Sequence, residues 1–216
     1  MTCDLVIFDC DGVLVDSEVI SCRVHAETLT RHGYPITTEQ VAERFLGRSG
    51  REARREIEAE LGRAFDDDLE AQLVADVLRS FAEDLAPIPF IGEALDAIAQ
   101  PVCVASSGTL ERIGFALTRT GLHARFAPYL FSAEQVQNGK PAPDLFLYAA
   151  ERMGVAPERC VVVEDSVPGI TGARAAGMRV LGFVGGSHCV PGMAEKLRAA
   201  GAATTFADMR QLPETI

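Results

Sequence analysis

Residues 6–17 read Val-Ile-Phe-Asp-Cys-Asp-Gly-Val-Leu-Val-Asp-Ser, and this stretch decides how the rest of the chain is interpreted. Its first three residues form an apolar run of strand formers, which is typical of a strand buried on both faces of a parallel sheet. The run ends abruptly in Asp9, Cys10, Asp11 and Gly12. A carboxylate at the carboxyl end of a parallel strand lies where open α/β sheets hold their ligands. The stretch therefore predicts an α/β fold with an acidic site at the end of its first strand.

The two carboxylates of this site repel each other, so Asp9 and Asp11 need a cation, a shared proton or both. A hard divalent ion such as Mg²⁺ takes oxygen ligands from one or two such groups. The simpler alternative is a loop that happens to be acidic, since Asp-Gly is also a common turn pair. Strand alternation turns the side chain of Cys10 the opposite way from both aspartates, which favours a structural thiol over a nucleophile.

The composition is that of an ordinary globular protein. The chain has 216 residues, of which 48% are hydrophobic and 24% are charged. This length is enough for one sizeable α/β domain or for one domain plus a smaller insertion. The net charge is −11 and no Lys/Arg-rich run is present, which argues against nucleic acid or an anionic membrane as a partner. No apolar stretch is long enough to span a membrane, and no secretory signal is visible. The six cysteines lack a CxxC pair, so we expect reduced thiols in a cytoplasmic protein.

The apolar spacing divides the chain into two kinds of segment. After Ser17 it follows the helix period up to the two prolines that precede residue 90, and no strand is evident there. Strand–helix alternation then resumes, with strand-like runs at 102–105, 161–163 and 180–183. We predict a doubly wound parallel sheet formed by a core domain of residues 1–16 and 89–216. A small all-helical cap domain, residues 17–88, is inserted after the first strand.

Polar groups follow the later strands as well. Ser106, Ser107 and Gly108 come after the second long strand, Glu164 and Asp165 come after the third, and Lys140 precedes the intervening helix. The carboxyl ends of the strands of such a sheet converge on one crevice. In that crevice an aspartate can attack phosphorus, a second can exchange protons with the leaving oxygen and water, and serine and backbone N–H groups suit phosphate oxygens.

Each of these residues also has a simpler reading. Ser106 could be a helix cap, Lys140 a solvated surface residue, and Glu164 and Asp165 the acidic start of a helix. Their joint occurrence in order, each at a strand end, favours one metal and phosphate site.

Four segments together resemble the motifs of the haloacid dehalogenase superfamily. They are residues 8–17, Ser106, residues 139–144 and residues 163–166. The resemblance covers the whole chain, including the helical cap of the C1 type, and is greatest to the β-phosphoglucomutase-like branch of sugar-phosphate phosphatases. It implies a nucleophile at Asp9, a general acid/base at Asp11, and Ser106 and Lys140 holding the transferred phosphoryl group. It also implies Mg²⁺ bound by Asp9, the backbone carbonyl of Asp11, Glu164 and Asp165.

Departures from the family pattern narrow the activity. The mutases of this branch carry a cap histidine and a cap arginine at positions that are Ser21 and Gly50 here, and residues 17–88 contain no lysine of the kind phosphonatases use. Hydrolysis is therefore the simpler outcome. Arg48 and Arg51 flank the cap loop that faces the phosphoryl site in this family, and a second anionic group on the substrate would suit them. The pattern resembles bacterial phosphatases of 6-phosphogluconate and related sugar phosphates.

The prediction from sequence is thus a Mg²⁺-dependent phosphatase acting on a small phosphorylated metabolite, a sugar phosphate or phosphosugar acid, through an aspartyl-phosphate. A phosphomutase of the β-phosphoglucomutase type and a non-catalytic phospho-ligand-binding protein remain alternatives. A non-catalytic phospho-ligand-binding protein would have no need of a general acid, so the presence of Asp11 argues against that alternative. We expect no nucleic-acid or membrane partner and a monomer or weak dimer.

Overall fold

A computed structural model describes residues 3–45, 50–65 and 68–216. Its centre is a sheet of parallel strands in the order β3-β2-β1-β4-β5-β6. The strands are β1 (Leu5–Phe8), β2 (Val102–Ser106), β3 (Leu130–Ser132), β4 (Cys160–Glu164), β5 (Arg179–Phe183) and β6 (Thr204–Phe206). After β1 the chain adds β2 and then β3 on one side of it. The chain then crosses back and adds β4, β5 and β6 on the other side of β1. This reversal of strand order is the point at which doubly wound sheets bind ligands.

Strand β1 is buried on both faces, as its apolar run predicts. Val6 and Phe8 contribute to the hydrophobic cluster on one face, and Leu5 and Ile7 contribute to the cluster on the other. Phe8 is in register with Val104 of β2 and Val163 of β4, and the next amide, Asp9 N–H, donates to the carbonyl of Val163 at 3.0 Å. The ladder therefore carries Asp9 to the carboxyl edge of the sheet.

Helices cover both faces, which confirms the predicted α/β fold class. In chain order they are α1 (Glu18–Arg31), α2 (Thr38–Phe45), α3 (Gly50–Leu61), α4 (Leu69–Asp84), α5 (Ile91–Ala97), α6 (Leu110–Arg119), α7 (His123–Phe126), α8 (Asp144–Met153), α9 (Val167–Ala175), α10 (Met193–Ala200) and α11 (Leu212–Thr215). Helices α5 to α7 pack on one face, and α8 to α10 pack on the other. The four-residue helices α7 and α11 were not predicted, because one turn is too short to show a helical period. No helix among the described residues is long and apolar enough to cross a bilayer.

Helices α1 to α4 follow β1 and have a hydrophobic cluster of their own, which includes Leu29, Phe45 and Ile57. Other residues of α1 and α4, among them Val24 and Phe81, belong instead to the cluster on the sheet. The segments that enter and leave this helical block run side by side, since Asp16 N–H donates to Ala86 O and Ile88 N–H donates to Leu14 O. The predicted domain boundaries at 16/17 and 88/89 lie in these two segments and stay a prediction.

Candidate active site

A buried lysine bridges two carboxylates at the carboxyl edge of the sheet. Lys140 is 1% exposed, and its Nζ donates to Asp9 Oδ1 at 2.8 Å and to Glu164 Oε1 at 2.6 Å. Asp9 follows β1, Glu164 ends β4, and Lys140 lies in the segment before α8. The simpler reading of Lys140 as a surface residue is wrong, because a lysine buried to this degree requires paired carboxylates.

Glu164 is held from its other side as well. Its Oε2 accepts hydrogen bonds from the amides of Asp165 and Ser166, at 2.9 and 2.8 Å, and from Ser166 Oγ at 2.9 Å. Both of its oxygens therefore already have donors, and the carboxylate fixes the position of Lys140. The sequence did not predict this contact. The prediction that Glu164 is a metal ligand stays a prediction.

A third carboxylate completes an acidic cluster. One ligand oxygen from each of Asp9, Glu164 and Asp165 lies within 4.8 Å of the other two, and all three residues are buried. Asp165 Oδ2 is a buried oxygen that accepts no hydrogen bond from the described residues, and His188 Nε2 lies 3.0 Å from it. A hard divalent cation is the group that such an oxygen lacks. The donor set of this cluster therefore fits Mg²⁺.

The electrostatics of the cluster agree with that fit. Burial, opposed by Lys140 and reinforced by Glu164, raises the pKa of Asp9 well above its usual value. Burial and the neighbouring carboxylate of Glu164 likewise raise the pKa of Asp165. Lys140 alone does not balance three buried acids, and a bound cation would favour their ionised forms.

Gly12 is required at the turn that follows β1. Its φ of +76° is in the left-handed region, and a Cβ there would lie 1.8 Å from Asp165 Oδ2 and 2.8 Å from His188 Cε1. The glycine therefore allows the loop after β1 to approach the end of β4 closely.

Asp11 is held apart from the acidic cluster. Its Oδ1 accepts hydrogen bonds from Ser17 Oγ at 2.5 Å and from Arg112 Nη2 at 2.7 Å. Burial alone would raise the pKa of Asp11, but Arg112 and Ser17 outweigh it and lower the pKa below the usual value. The Asp11 side chain is not among the clustered oxygens. The predicted metal contact through its backbone carbonyl stays a prediction.

Cys10, between the two aspartates, is 1% exposed and lies in the hydrophobic cluster with Phe8. Burial, followed by repulsion from Asp11, raises the pKa of its thiol well above the usual value. The thiol therefore stays protonated, as expected of a structural residue.

The loop after β2 has the features of an anion site. Ser106 is 1% exposed, and its Oγ accepts from Gly108 N–H at 3.1 Å. The residue that caps α6 is Thr109, whose Oγ1 accepts from Arg112 N–H, so Ser106 is not the helix cap of the simpler reading. Ser107 and Gly108 line the same cavity as Asp9 and Asp11.

This cavity has a volume of about 360 Å³ and lies between the loop ends of the sheet and helices α1, α3 and α4. One stripe of α1 faces it, formed by Glu18, Ser21, Cys22, His25 and Leu29. Glu18, Arg112 and His188 were not singled out from the sequence, because none of them lies in a motif or at a strand end. Glu18 alone could have been identified from the sequence as a residue near the site, because it directly follows Ser17 and begins a stripe with helical period.

The predicted substrate-binding arginines are not placed by the structure. Arg48 lies outside the described residues, and of Arg51 only the backbone position, in α3, is described. Their role stays a prediction.

Comparisons with known proteins agree with this site. A family model described as haloacid dehalogenase-like hydrolase matches residues 3–177. The 6-phosphogluconate phosphatase of Escherichia coli K12 is 36% identical over 98% of this chain and 93% of its own. The phosphorylated carbohydrates phosphatase of Thermotoga maritima is 33% identical over 84% of this chain and 85% of its own. A crystal structure of a conserved haloacid dehalogenase-like protein of unknown function from Agrobacterium tumefaciens matches with a TM-score of 0.82, at 42% identity, over 99% of this chain and 97% of that chain.

The similarity is one of sequence as well as fold, since the identities are 36%, 33% and 42% over most of the chain. It confirms the membership that the four sequence motifs predicted. The chain belongs to the haloacid dehalogenase-like hydrolases and is a phosphatase of that family.

Proposed function

We propose that the chain hydrolyses the phosphate monoester of a sugar phosphate or phosphosugar acid, with Mg²⁺, through a phosphorylated Asp9. The observation that carries this proposal is the buried group of Lys140, Asp9 and Asp165 beside the Ser106 loop. The similarity to phosphatases named for 6-phosphogluconate and for phosphorylated carbohydrates supports the substrate class.

The chemistry divides between the two aspartates. A carboxylate oxygen of Asp9 attacks phosphorus, the bond from phosphorus to the ester oxygen breaks, and Asp11 delivers a proton to the departing oxygen. Asp11 then takes a proton from the water that attacks the phosphorylated Asp9, which releases phosphate. Lys140 and the donors of the Ser106 loop balance the charge on the phosphoryl oxygens.

Asp9, Asp165 and the Asp11 carbonyl are the groups proposed to hold Mg²⁺, with Glu164 beside them. When bound, the ion would neutralise phosphoryl charge and position the phosphate for attack. Glu164 would also hold Lys140 in position, because its Oε1 accepts a hydrogen bond from Lys140 Nζ at 2.6 Å.

The first test is turnover. Purified chain with Mg²⁺ is expected to release phosphate from p-nitrophenyl phosphate and from members of a panel of sugar phosphates, and EDTA is expected to stop the release. No release from any compound would favour a phospho-ligand-binding protein. Interconversion of hexose 1- and 6-phosphates with little free phosphate would favour the mutase alternative.

The second test is the nucleophile. We expect Asp9→Asn to abolish turnover, because the amide cannot form the phosphorylated intermediate, while the circular dichroism spectrum remains that of the wild type. Near-normal phosphate release by this variant would refute the assignment of Asp9.

The six cysteines are all free thiols, which supports the proposal of a cytoplasmic location. A monomer or weak dimer remains the proposed oligomeric state.

A further inference from the structure

Arg112 is a charged residue at the active site that the proposed reaction does not use. It lies in the first turn of α6, and its Cζ is 5.2 Å from the ring centroid of buried Phe81. The positive end of the helix dipole disfavours a cation in a first turn. The stability of α6 therefore does not account for an arginine at this position.

The side chain reaches the place where the acid and the phosphate loop meet. A Cβ built on Gly108 would lie 3.5 Å from Ser106 Oγ, 3.6 Å from Arg112 Cδ and 3.7 Å from Asp11 Oδ2. Gly108 is thus adjacent to all three residues. A substrate whose phosphate occupies the Ser106 loop would present its next carbon atoms to the guanidinium of Arg112.

Much of the donor capacity of this guanidinium is unused. Both side-chain hydrogen bonds of Arg112 within the described part of the chain leave from Nη2, one to Asp11 Oδ1 and one to Ser21 Oγ. Its Nε is buried and has no partner there, while the side chain as a whole is 20% exposed on the cavity wall. A guanidinium offers five N–H donors in a fork that matches a carboxylate.

Arg112 is hydrogen-bonded to Asp11, the residue proposed as the general acid and base of the reaction. In the proposed reaction Asp11 donates a proton to the leaving oxygen, whereas in this structure Asp11 Oδ1 is bonded to Arg112 Nη2 at 2.7 Å. A second anion in the cavity could take over Arg112 and release Asp11. Ser21 and Phe81 would keep the guanidinium in place during the exchange.

On these grounds we propose that Arg112 is a substrate-binding residue that recognises a carboxylate on the carbon skeleton of the phosphate ester, in exchange for Asp11. The substrate class is then the phosphate esters of hydroxy acids and sugar acids. This inference rests on the proposed phosphatase function and narrows its substrate.

Among the described side chains, the other arginines that line the cavity are on α3. Arg54 pairs with Glu58 at 2.8 Å and with Glu70 at 3.4 Å, so its charge is already balanced. Arg55 is exposed and also lines the cavity, from the side opposite the sheet. Within the described part of the chain, Arg55 is therefore the competing candidate for the same role and belongs in the test.

The test compares two matched pairs of esters. 6-Phosphogluconate and sorbitol 6-phosphate differ only in a terminal carboxylate against a hydroxymethyl group. 3-Phosphoglycerate and the glycerol phosphate with the same arrangement at its central carbon differ in the same way over a shorter chain. With Mg²⁺, the wild-type chain is expected to prefer the acid of at least one pair by roughly 10- to 100-fold in kcat/KM, the range of a hydrogen-bonded charge pair. We expect Arg112→Met to bring that ratio to about one and Arg112→Lys to retain part of it.

Arg119→Met is the matched control, since Arg119 is on the same helix, is exposed and does not line the cavity. It should keep the full preference. An unchanged acid-to-neutral ratio in Arg112→Met, with both esters turned over more slowly, would show that Arg112 only positions Asp11 and would overturn the inference. Loss of the ratio in Arg55→Met and not in Arg112→Met would overturn it as well.

A binding measurement tests the recognition of the carboxylate separately from turnover. In the Asp9→Asn background, titration calorimetry is expected to show tighter binding of the acid than of its neutral partner, and the additional Arg112→Met change should weaken the acid alone. Equal affinity for acid and neutral partner would contradict the inference. If the wild-type chain released phosphate from p-nitrophenyl phosphate but from neither acid, the inference would be overturned and the proposed function would stand. No release from p-nitrophenyl phosphate or from any ester would instead count against the proposed function.

Discussion

Lys140 is a buried cation that is paired with two buried carboxylates. Its two partners come from opposite sides of the strand-order reversal, and both are buried. Burial alone would lower the pKa of a lysine, but Asp9 and Glu164 together raise that of Lys140 instead, so it stays charged. Removing one member of such a group leaves the others buried without a counter-charge.

We therefore expect Lys140→Met to lose phosphatase activity and to destabilise the chain by about 3–5 kcal/mol. Urea unfolding in EDTA measures the loss. Lys196→Met is the control, because Lys196 is exposed on α10, and it should change stability by no more than about 0.5 kcal/mol. Equal unfolding midpoints for the two variants would contradict the ion-pair argument. Adding Glu164→Gln to Lys140→Met should recover part of the stability and none of the activity.

Glu18 makes the stability of the chain depend on pH. Burial, and then repulsion by Asp11, raises its pKa from 4.5 to about 7. The folded chain thus keeps this proton to higher pH than the unfolded chain, and the stability tied to it is lost as pH rises from about 4.5 to about 7. We expect Glu18→Gln to unfold at higher urea concentration than the wild type at pH 8 and at the same concentration near pH 4. The same shift in Glu151→Gln, at an exposed position of α8, would contradict this explanation.

At the scale of elements, the position of α9 depends on a close approach between its first turn and the end of β4. A Cβ on Gly169, in the first turn of α9, would lie 1.8 Å from Glu164 Oε1. The helix can begin beside the Glu164 carboxylate only because residue 169 has no side chain. The same glycine keeps Ser166 in place as the cap of α9, since Ser166 Oγ accepts from Gly169 N–H at 3.1 Å.

Gly169→Ala is expected to destabilise the chain by about 1–3 kcal/mol through overpacking and to lower activity by displacing Glu164 from Lys140. Thermal unfolding and phosphate release measure the two effects. The matched control is Gly114→Ala in α6, where nothing lies within 4 Å of the new Cβ, and this change should stabilise by about 0.5–1 kcal/mol. Similar effects of the two substitutions would contradict the close approach.

At the scale of the whole molecule, the carboxylates of Asp9, Glu164 and Asp165 repel one another in the folded chain, and a bound cation would reduce this repulsion. Asp9 and Asp165 come from strands β1 and β4, which are neighbours in the sheet although their sequences are far apart. A cation that binds only the folded chain stabilises the entire fold by mass action. The proposed metal site therefore has a readout other than turnover.

We expect Mg²⁺ at 100 times its dissociation constant to raise the free energy of unfolding by about 2.7 kcal/mol. Asp165→Asn should remove most of this increase, because it removes a clustered carboxylate. Asp96→Asn, at an exposed residue of α5, should retain all of it. An equal response of the wild type and Asp165→Asn to Mg²⁺ in chemical denaturation would contradict the site.

Much of the site could be predicted because its residues lie at strand ends, and strands are readable in the sequence. The runs before Asp9, Ser106 and Glu164 are apolar on both faces, and parallel strands bring their carboxyl ends to one edge. Arg112 and His188 could not be predicted in this way. Neither residue is part of a recognisable sequence pattern. Arg112 contacts Asp11, and His188 contacts Asp165, only because of how a helix and a loop cross the edge of the sheet.

The amino-acid sequence alone determined the order of the strands and of the longer helices, the presence of an inserted helical block and the set of acidic strand ends, because these depend on local periodicity and on rules of parallel-sheet connection. Only the tertiary structure decided which charges meet. Lys140 pairs with Asp9 and Glu164, and Arg112 pairs with Asp11, across separations of 131, 24 and 101 residues. The physical reason is that a charge interacts through space over a few ångströms, and the packing of helices on the sheet, which no local pattern specifies, sets those distances.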